Sequence, residues 1–223
     1  MVSEAVGTGG GIRRPVELAV ETTRGPACAV AYLPVGRRPN ALVVALHGAG
    51  TDSARSPLPE LCGLLAGRGI AAVRFDQPYV VAGRKAPDAA HFLDRTLLEA
   101  LRDLRGLATK GARLGLVGRS SGARVACRVA AETAAAAIAC LGFPFQPPAR
   151  KGAAPPQNRG AELAAAAAAC PVLVVQGSRD PFGMPPAATG AAIVVREGVG
   201  HVPTVEMARE AAGWLTDRLT SEG

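Results

Sequence analysis

The sequence predicts an α/β protein, with a mostly parallel central sheet of about eight strands and helices on both of its faces. Short, uniformly apolar runs recur along the chain, as expected for strands that are buried on both sides. Stretches with apolar residues at helical spacing lie between these runs. Because a strand followed by a helix is repeated several times, we expect an open sheet between two layers of helices.

The first two predicted strands differ from the other six. VELAVET (16–22) and ACAVAYL (27–33) alternate apolar with small or polar residues and are joined by TRGP, which favours an antiparallel hairpin at a sheet edge. The later runs are apolar throughout, which favours central parallel strands. These runs are ALVVAL (41–46), IAAVRF (70–75), ARLGLV (112–117), AAIACLG (136–142), PVLVVQ (171–176) and AAIVVR (191–196).

Helical stretches follow most of these runs. LPELCGLLAGRG (58–69) ends on a glycine, which is a common stop signal. The last stretch, 205–219, is amphipathic, because its apolar residues recur at helical spacing on one face. The remaining predicted helices are 90–111, 121–134 and 161–170.

The length of the chain suits one domain. At 223 residues and 48% hydrophobic composition, it is long enough for one well-buried core and short for two. We expect residues 16–223 to form this domain and the glycine-rich residues 1–15 to be a flexible N-terminal segment. The proline-rich and basic stretch 143–160 is expected to arch over one edge of the sheet, and whether it covers the site stays open.

Composition argues against several classes of function. The net charge of +7 comes mostly from arginines scattered singly, and with aromatic residues at 4% no basic stripe for nucleic acid is present. No apolar run reaches the length of about 18 residues that a membrane span needs, and the N-terminus shows no secretory signal. We therefore expect a soluble cytoplasmic protein that binds neither nucleic acid nor membrane.

The cysteines predict neither a disulfide framework nor a zinc site. Five are present, an odd number, and they are widely spaced with no CxxC pair and no histidine cluster nearby. We expect reduced cysteines in mostly apolar surroundings and no bound metal. These residues are Cys28, Cys62, Cys127, Cys140 and Cys170.

The stretch VGRSSGAR (117–124) contains a candidate nucleophile. Its GRSSG motif follows a predicted strand and precedes a predicted helix, the context in which G-x-S-x-G places a serine on a sharp turn. Such a turn needs small residues two positions before and after the serine, because strand and helix approach closely there. Ser120 has a glycine at both positions, whereas Ser121 has an arginine and an alanine. Ser120 is therefore the better candidate.

A serine nucleophile needs a base, and the chain has only three histidines. His201 lies in a glycine-rich loop, EGVGHVP, after the last predicted strand and just before the final helix. His47 begins HGAG directly after ALVVAL, and His91 begins a helix rich in leucine and charge. We expect His201 to be the base, His47 to brace its loop and His91 to be solvated.

Two aspartates at strand ends compete to orient the base. Asp180 follows PVLVVQ, and Asp76 follows IAAVRF. Asp180 is preferred, because the order Ser120, Asp180, His201 is the chain order of the triad in α/β hydrolases. The alternative role of Asp180 is to cap the turn before Pro181.

The motif HGAG (47–50) is expected to supply part of an oxyanion hole. Its glycines let the backbone turn amides toward a developing negative charge, and the N–H of Ala49 is the expected donor. The N–H of Ser121, the residue after the nucleophile, is the expected second donor. A tight glycine turn that binds no ligand is the alternative.

Six segments resemble the small, lidless group of α/β hydrolases related to dienelactone-hydrolase-like proteins. They are ALHGAG, GIAAVRFDQPYVVAGRKAPD, GRSSGAR, CLGFPFQPP, VQGSRDPFG and GHVP. That group also includes the hydrolase-like domain of a histone acetyltransferase complex subunit. The resemblance implies an eight-stranded sheet with an antiparallel second strand, a triad of Ser120, Asp180 and His201, and an open site without a cap. Dienelactone hydrolases proper have a cysteine nucleophile where this chain has Ser120.

Two loops are expected to shape the substrate pocket. QPYVVAGRKAPD, after the fourth predicted strand, offers Tyr79 and Arg84, and FPFQPPARK offers Phe143 and Phe145. Both loops also carry further basic residues. We therefore predict an acyl or anionic pocket near the nucleophile, with solvated loops as the alternative.

These observations predict a serine hydrolase that cleaves a small ester or thioester through an acyl-enzyme intermediate, with no metal and no organic cofactor. Two alternatives stay open, because a fold alone does not determine function. One is an interaction module that keeps the fold with a weak triad, and the other is an acyltransferase that uses the same triad. The sequence also leaves open the acyl and leaving groups and whether the protein is a monomer or a dimer.

Overall fold

The computed structural model describes residues 11–147 and 158–221, and these residues contain an eight-stranded sheet. Across the sheet the strand order is β1-β2-β4-β3-β5-β6-β7-β8, and β2 runs antiparallel to β1 and β4 while the other neighbours are parallel. The predicted fold class, with its antiparallel second strand, is confirmed. The strands are β1 (Val16–Val20), β2 (Ala27–Tyr32), β3 (Ala41–Leu46), β4 (Ala71–Asp76), β5 (Arg113–Arg119), β6 (Ala137–Leu141), β7 (Val172–Gly177) and β8 (Ala192–Arg196).

Helices cover both faces of the sheet. Helices α1 and α7 pack on one face, and α3, α4 and α6 pack on the other. Within the described part of the chain, no helix is long and apolar enough to cross a membrane. The helices are α1 (Leu58–Ala66), α2 (Pro78–Val81), α3 (Ala90–Leu104), α4 (Ser121–Arg128), α5 (Ala130–Thr133), α6 (Gly160–Ala169) and α7 (Val205–Thr220).

The central strands are buried on both sides, which explains why they are apolar throughout. In β3, Leu42 and Val44 face the layer of α3, α4 and α6, whereas Val43 and Ala45 face α1 and α7. All four side chains are at most 2% exposed. A polar residue on either face would lose its contact with water, so a strand in this position does not alternate polar and apolar residues.

The strand order opens a crevice at the carboxyl ends of the central strands. β4 lies on one side of β3, and β5 lies on the other. The connection after β3 therefore runs toward one side of the sheet, and the connection into β5 runs toward the other. Loops that leave the carboxyl ends of β3 and β5 therefore diverge, and in open α/β sheets such a crevice is where ligands bind. HGAG follows β3 and the GRSSG motif ends β5, so both sequence motifs meet at the crevice.

Three helical regions differ from the predictions. Helix α3 ends at Leu104 rather than at 111, and a single 3₁₀ turn, Arg105–Leu107, follows it. The stretch 121–134 forms two helices rather than one, because the buried Val129 has φ −92° and ψ 2°, which interrupts helical geometry. The loop after β4 contains the short helix α2, which begins at Pro78. Proline is favoured at the first helical position, since its ring fixes φ and the missing N–H is not needed there.

Two sequence-based expectations fall largely outside the described residues. They concern the N-terminal segment 1–15, of which residues 1–10 are not described, and the stretch 143–160, of which 148–157 are not described. Ile12 forms an isolated antiparallel bridge with Pro34. The described end of the N-terminal segment is therefore attached to the turn after β2.

The five cysteines are all free thiols. Four are buried, and Cys28 is half-buried. Burial raises the pKa of the Cys62 thiol to about 12. Thiolate is the reactive form, so this cysteine is unreactive at neutral pH.

Candidate active site

Ser120 lies on the sharp turn between β5 and α4. Its backbone has φ 51° and ψ −114°, a conformation that costs a residue other than glycine roughly 1–3 kcal/mol. Hydrogen bonds hold the turn, since the Ser120 N–H donates to the Leu141 carbonyl (3.2 Å) and the Ala123 N–H donates to the Ser120 carbonyl (3.0 Å). The strained turn presents the half-buried Ser120 side chain at the carboxyl end of β5.

Glycines on either side of Ser120 allow strand and helix to approach closely. A Cβ on Gly118 would lie 2.2 Å from the carbonyl carbon of Gly122. A Cβ on Gly122 would lie 2.5 Å from the carbonyl oxygen of Leu46. Because both contacts are with backbone atoms, neither position accepts a larger residue. This packing matches the spacing argument that selects Ser120 rather than Ser121.

We expect Gly118→Ala to lower the free energy of unfolding by about 3 kcal/mol or more, because the new methyl group meets backbone that cannot move aside. Gly213→Ala in α7 is the matched control. A Cβ there meets nothing within 4 Å, and alanine is favoured over glycine in helices by about 1 kcal/mol. Urea unfolding measures both variants, and equal stabilities would contradict the expectation.

His201 connects Ser120 and Asp180 by hydrogen bonds. Its Nε2 lies 2.8 Å from the Oγ of Ser120, and its Nδ1 lies 2.8 Å from the Oδ2 of Asp180. The Asp180 side chain is 1% exposed, whereas that of His201 is 20% exposed. This arrangement can hold the imidazole with Nδ1–H toward the carboxylate and leave Nε2 free to accept the proton of the serine hydroxyl.

The carboxylate of Asp180 is held by donors on both oxygens. The Nε2 of Gln176 donates to Oδ2 (2.9 Å), and the N–H of Phe182 donates to Oδ1 (2.8 Å). The same Gln176 amide donates to the carbonyls of Phe143 (3.1 Å) and Gly183 (2.9 Å). The fully buried Gln176 therefore ties the turn of Asp180 to the loop that follows β6.

Two further residues that the sequence reasoning missed surround His201. The ring of Phe182 lies 4.3 Å from the imidazole ring, centre to centre, at an angle of 46°. Gly142 has φ 65°, and a Cβ there would lie 3.1 Å from the His201 carbonyl oxygen. Both residues follow the carboxyl ends of strands, and that position is the signal that points to them.

The HGAG loop lies beside Ser120. A Cβ on Gly48 would lie 3.4 Å from the Cβ of Ser120, and Gly50 has φ 70°, which favours glycine. Within the described residues, neither the Ala49 nor the Ser121 amide donates a hydrogen bond to the backbone. Both amides are therefore available to an oxygen of a substrate.

His47 holds this loop from inside the fold. Its Nδ1 lies 2.9 Å from the Gly48 carbonyl oxygen, and its Nε2 accepts the N–H of Gln77 at 3.3 Å. Burial lowers the pKa of the His47 imidazole, so the ring is neutral at neutral pH. These partners fit the tautomer with its proton on Nδ1.

The competing acid and base candidates lie apart from the hydrogen-bonded group. Asp76 accepts hydrogen bonds from the backbone N–H (2.6 Å) and the hydroxyl (2.9 Å) of Ser53. His91 is exposed at the start of α3, where its ring lies 4.0 Å from that of Phe92. Neither side chain is hydrogen-bonded to Ser120 or His201.

A family model described as the alpha/beta hydrolase domain matches residues 39–197. The match begins before β3 and ends after β8, and it contains Ser120 and Asp180. It covers well over half of the chain. The chain belongs to the α/β-hydrolase family.

Solved structures share the fold of this α/β hydrolase. TT1662 from Thermus thermophilus is 23% identical with a TM-score of 0.64, and the match covers 94% of this chain and 100% of that one. XC6422 from Xanthomonas campestris, described as an a/b serine hydrolase without lid, is 19% identical with a TM-score of 0.68 over 94% and 97% of the two chains. A cold-adapted esterase from an Arctic intertidal metagenomic library is 19% identical with a TM-score of 0.69 over 97% of each chain. No curated protein matches the sequence.

The hydrolase buries two of the four predicted substrate contacts. Tyr79 is 1% exposed and Phe143 is 0% exposed, and both pack in the hydrophobic core. The Tyr79 ring lies edge-on to His47, 5.7 Å away, and a cavity of only about 10 Å³ separates it from Ser121. These aromatic rings fill space beneath the site, so they are core residues here rather than walls of an open pocket.

The other two predicted substrate contacts are Arg84, which is paired with a carboxylate, and Phe145, which is half-buried near the turn of Asp180. Both terminal nitrogens of Arg84 donate to the carboxylate of Asp88, at 2.9 and 3.1 Å, so its charge is already paired. Phe145 is half-buried, and its ring lies 3.8 Å from the Cβ position of Gly183 in the turn of Asp180. A substrate contact of Phe145 stays a prediction, whereas Arg84 is not a free cation of the site.

Neither a metal-ligand cluster nor the cavity beside Leu42 offers a second catalytic site in the described residues. In the described ranges, no group of three or more histidine, cysteine or acidic side chains could hold a metal ion. A cavity of about 350 Å³ lies at the opposite edge of the sheet, near Leu42 at the start of β3, and is lined by Arg38, Arg105 and Lys110. No candidate nucleophile, base or acid named above lines it.

Proposed function

We propose that this α/β hydrolase is a serine hydrolase that cleaves a small ester or thioester through an acyl-enzyme intermediate. The observation that carries the proposal is the continuous hydrogen-bonded series from the Ser120 hydroxyl through His201 to Asp180, with 2.8 Å at each step. Each residue follows a different strand, at the edge of the sheet where ligands bind in this class of fold.

In the first step the Ser120 Oγ attacks the carbonyl carbon of the substrate. The Nε2 of His201 takes the hydroxyl proton, and the imidazolium that forms is stabilised by the carboxylate of Asp180. Because Asp180 is buried and already accepts hydrogen bonds from Gln176 and Phe182, it keeps the ring in one orientation. The proton then passes from Nε2 to the leaving oxygen or sulfur, and the acyl group remains on Ser120.

The tetrahedral intermediate carries a negatively charged oxygen, which hydrogen-bond donors stabilise. The amides of Ala49 and Ser121 are proposed as these donors, since both flank Ser120 and neither is used by the described backbone hydrogen bonds. Loss of one such donor typically costs about 3 kcal/mol of transition-state stabilisation. His47 braces the HGAG loop that carries the Ala49 amide, so this donor needs little reorganisation.

Water completes the cycle. His201 accepts a proton from the water as the water attacks the acyl-enzyme, and then returns that proton to the Ser120 oxygen as the acid product leaves. An acyltransferase would use another nucleophile at this step, and no observation favours one. A scaffold without activity is disfavoured, because the strained turn at Ser120 costs stability that a purely structural role does not require.

A small ester is proposed as the substrate, and the exposure of His201 among the described residues leaves the base accessible to it. His201 is 20% exposed, and the fold is shared with XC6422, which is described as a hydrolase without a lid. Two of the solved neighbours are described as esterases, from an Arctic intertidal metagenomic library and from Rhodothermus marinus. An ester is therefore the first substrate class to examine, with thioesters beside it.

A fluorophosphonate probe tests the proposal. The purified protein is treated with the probe, and the adduct is located by peptide mass spectrometry in the wild type and in Ser120→Ala. We expect stoichiometric labelling on Ser120 that heat-denatured protein does not show. An adduct on Ser121, or no adduct in folded protein, would overturn the proposal.

A further inference from the structure

Arg119 lies immediately before Ser120, at the end of β5. Side chains alternate along a strand, and Val117, two residues earlier, packs on the face of α1 and α7. Arg119 therefore points to the same face, where its Cγ comes within 3.8 Å of a Cβ placed on Gly48. The side chain thus runs along the loop that carries the Ala49 amide.

The Arg119 side chain is half-buried and yet has no ionic partner in the described part of the chain. Among the described residues, no carboxylate oxygen lies within 4.0 Å of its guanidinium nitrogens, and its guanidinium takes part in no hydrogen bond. Asp52 lies in the neighbouring loop, but its carboxylate accepts the N–H of Ala54 at 3.0 Å. The charge beside the nucleophile is therefore available to a ligand.

The surroundings of Arg119 disfavour its positive charge. Burial, and after it the charge of Arg55 in the loop before α1, lower the pKa of the Arg119 guanidinium. Arg55 is exposed, and its charge repels that of Arg119. An anion bound to Arg119 would offset this repulsion and replace lost hydration.

Two half-buried arginines in the helix that follows Ser120 have carboxylate partners, unlike Arg119. Arg124, in the helix that follows Ser120, lies 2.6 Å from Glu162. Arg128, one turn later, lies 2.6 Å from Asp94. These pairs tie α4 to α6 and α3, so their role is explained by packing, whereas no contact of this kind explains Arg119.

We propose that Arg119 binds an anionic group of the substrate, a carboxylate or phosphate carried close to the scissile ester or thioester. This inference rests on the proposed function, since it names the substrate class of the same site. The guanidinium fork makes two parallel hydrogen bonds to either anion. The anionic group belongs to the acyl part or to the leaving group, and the chemistry at Arg119 is the same in both cases.

Two matched pairs of esters separate these sources. 4-Nitrophenyl hemiglutarate against 4-nitrophenyl butyrate varies the charge of the acyl part at similar length. 4-Acetoxybenzoate against 4-acetoxybenzamide varies the charge of the leaving group. For each pair the measured quantity is the ratio of kcat/KM for the charged ester to that for the neutral ester.

We expect the wild type to prefer the charged ester in one pair, and Arg119→Gln to lower that ratio by about 10- to 100-fold, as for loss of a hydrogen bond between charged groups. Arg119→Lys keeps the charge without the fork and should give an intermediate ratio. Arg84→Gln is the matched control, since Arg84 is bound to Asp88, and its ratio should equal that of the wild type. Ratios that Arg119→Gln leaves unchanged in both pairs would overturn the inference while ester hydrolysis itself stands.

A binding measurement keeps the inference separate from catalysis. Glutarate and inorganic phosphate are titrated by calorimetry into Ser120→Ala and into Ser120→Ala combined with Arg119→Gln. Binding of either anion that the second substitution abolishes supports the anion site even if no ester is cleaved and the proposed function fails. Equal binding to the two proteins, or none to either, would overturn it.

Discussion

Ser120→Ala is expected to lower kcat for a short ester by about 10⁴- to 10⁶-fold, because the substitution removes the atom that forms the acyl-enzyme. His201→Ala should cost a similar factor, since the hydroxyl then loses its base across the 2.8 Å contact. The double variant should be no worse than either single one, because the two residues act as one unit. Steady-state hydrolysis of 4-nitrophenyl acetate by each purified variant measures these values.

Stability measurements show whether a loss of activity reflects chemistry or unfolding. Ser120→Ala keeps the strained backbone at φ 51°, whereas Ser120→Gly relieves it. We therefore expect the glycine variant to be more stable than the alanine variant by about 1 kcal/mol, with both inactive. Ester hydrolysis by folded Ser120→Ala at more than a hundredth of the wild-type kcat would contradict a nucleophilic role.

Asp180→Asn is expected to lower kcat by about 10⁴-fold while the fold persists. The carboxylate accepts the N–H of Phe182 on one oxygen and meets Gln176 and His201 on the other. An asparagine has one oxygen only, so in either orientation its NH₂ group faces another donor. The amide that faces Nδ1 would also favour the wrong tautomer of the imidazole, with the proton on Nε2 toward the serine.

Asp76→Asn is the matched control for this prediction, because Asp76 also follows a strand but is hydrogen-bonded to Ser53. We expect its kcat to change by less than about tenfold, since its partners lie outside the proton path. Circular dichroism verifies that both variants are folded. An Asp76→Asn variant that is less active than Asp180→Asn would show that the acid has been assigned to the wrong strand.

The fold was predictable because burial on both faces makes the central strands largely apolar. The edge strands β1 and β8 are mostly exposed or half-buried. All eight apolar runs correspond to strands within about two residues, and ALVVAL matches β3 at both ends. The helix 121–134 was harder, because its break at Val129 depends on how that buried residue packs rather than on a glycine or proline. α2 was missed, since its four residues are too few to show a helical period.

The candidate site was predictable where backbone geometry restricts the residue type. Gly118 and Gly122 are required by contacts of 2.2 and 2.5 Å, so the motif spacing alone indicated which serine lies on the turn. Substrate contacts were not predictable in this way. Tyr79 and Phe143 follow strand ends as the site residues do, yet their rings turn into the core. The direction of a side chain at a strand end depends on the neighbours available to cover it.

The order of strands and helices, the turn that carries Ser120, and the three residues that follow separate strand ends could all be predicted from the sequence. These features depend on the spacing of residue types and on the pattern of apolar residues, and both are visible in the sequence. Three features became visible only in the folded chain: Gln176 holds Asp180, Phe182 packs on His201, and Arg119 has no carboxylate partner among the described residues. Each of these features depends on which side chains meet when the chain folds. The local sequence around an arginine does not show whether its side chain forms an ion pair.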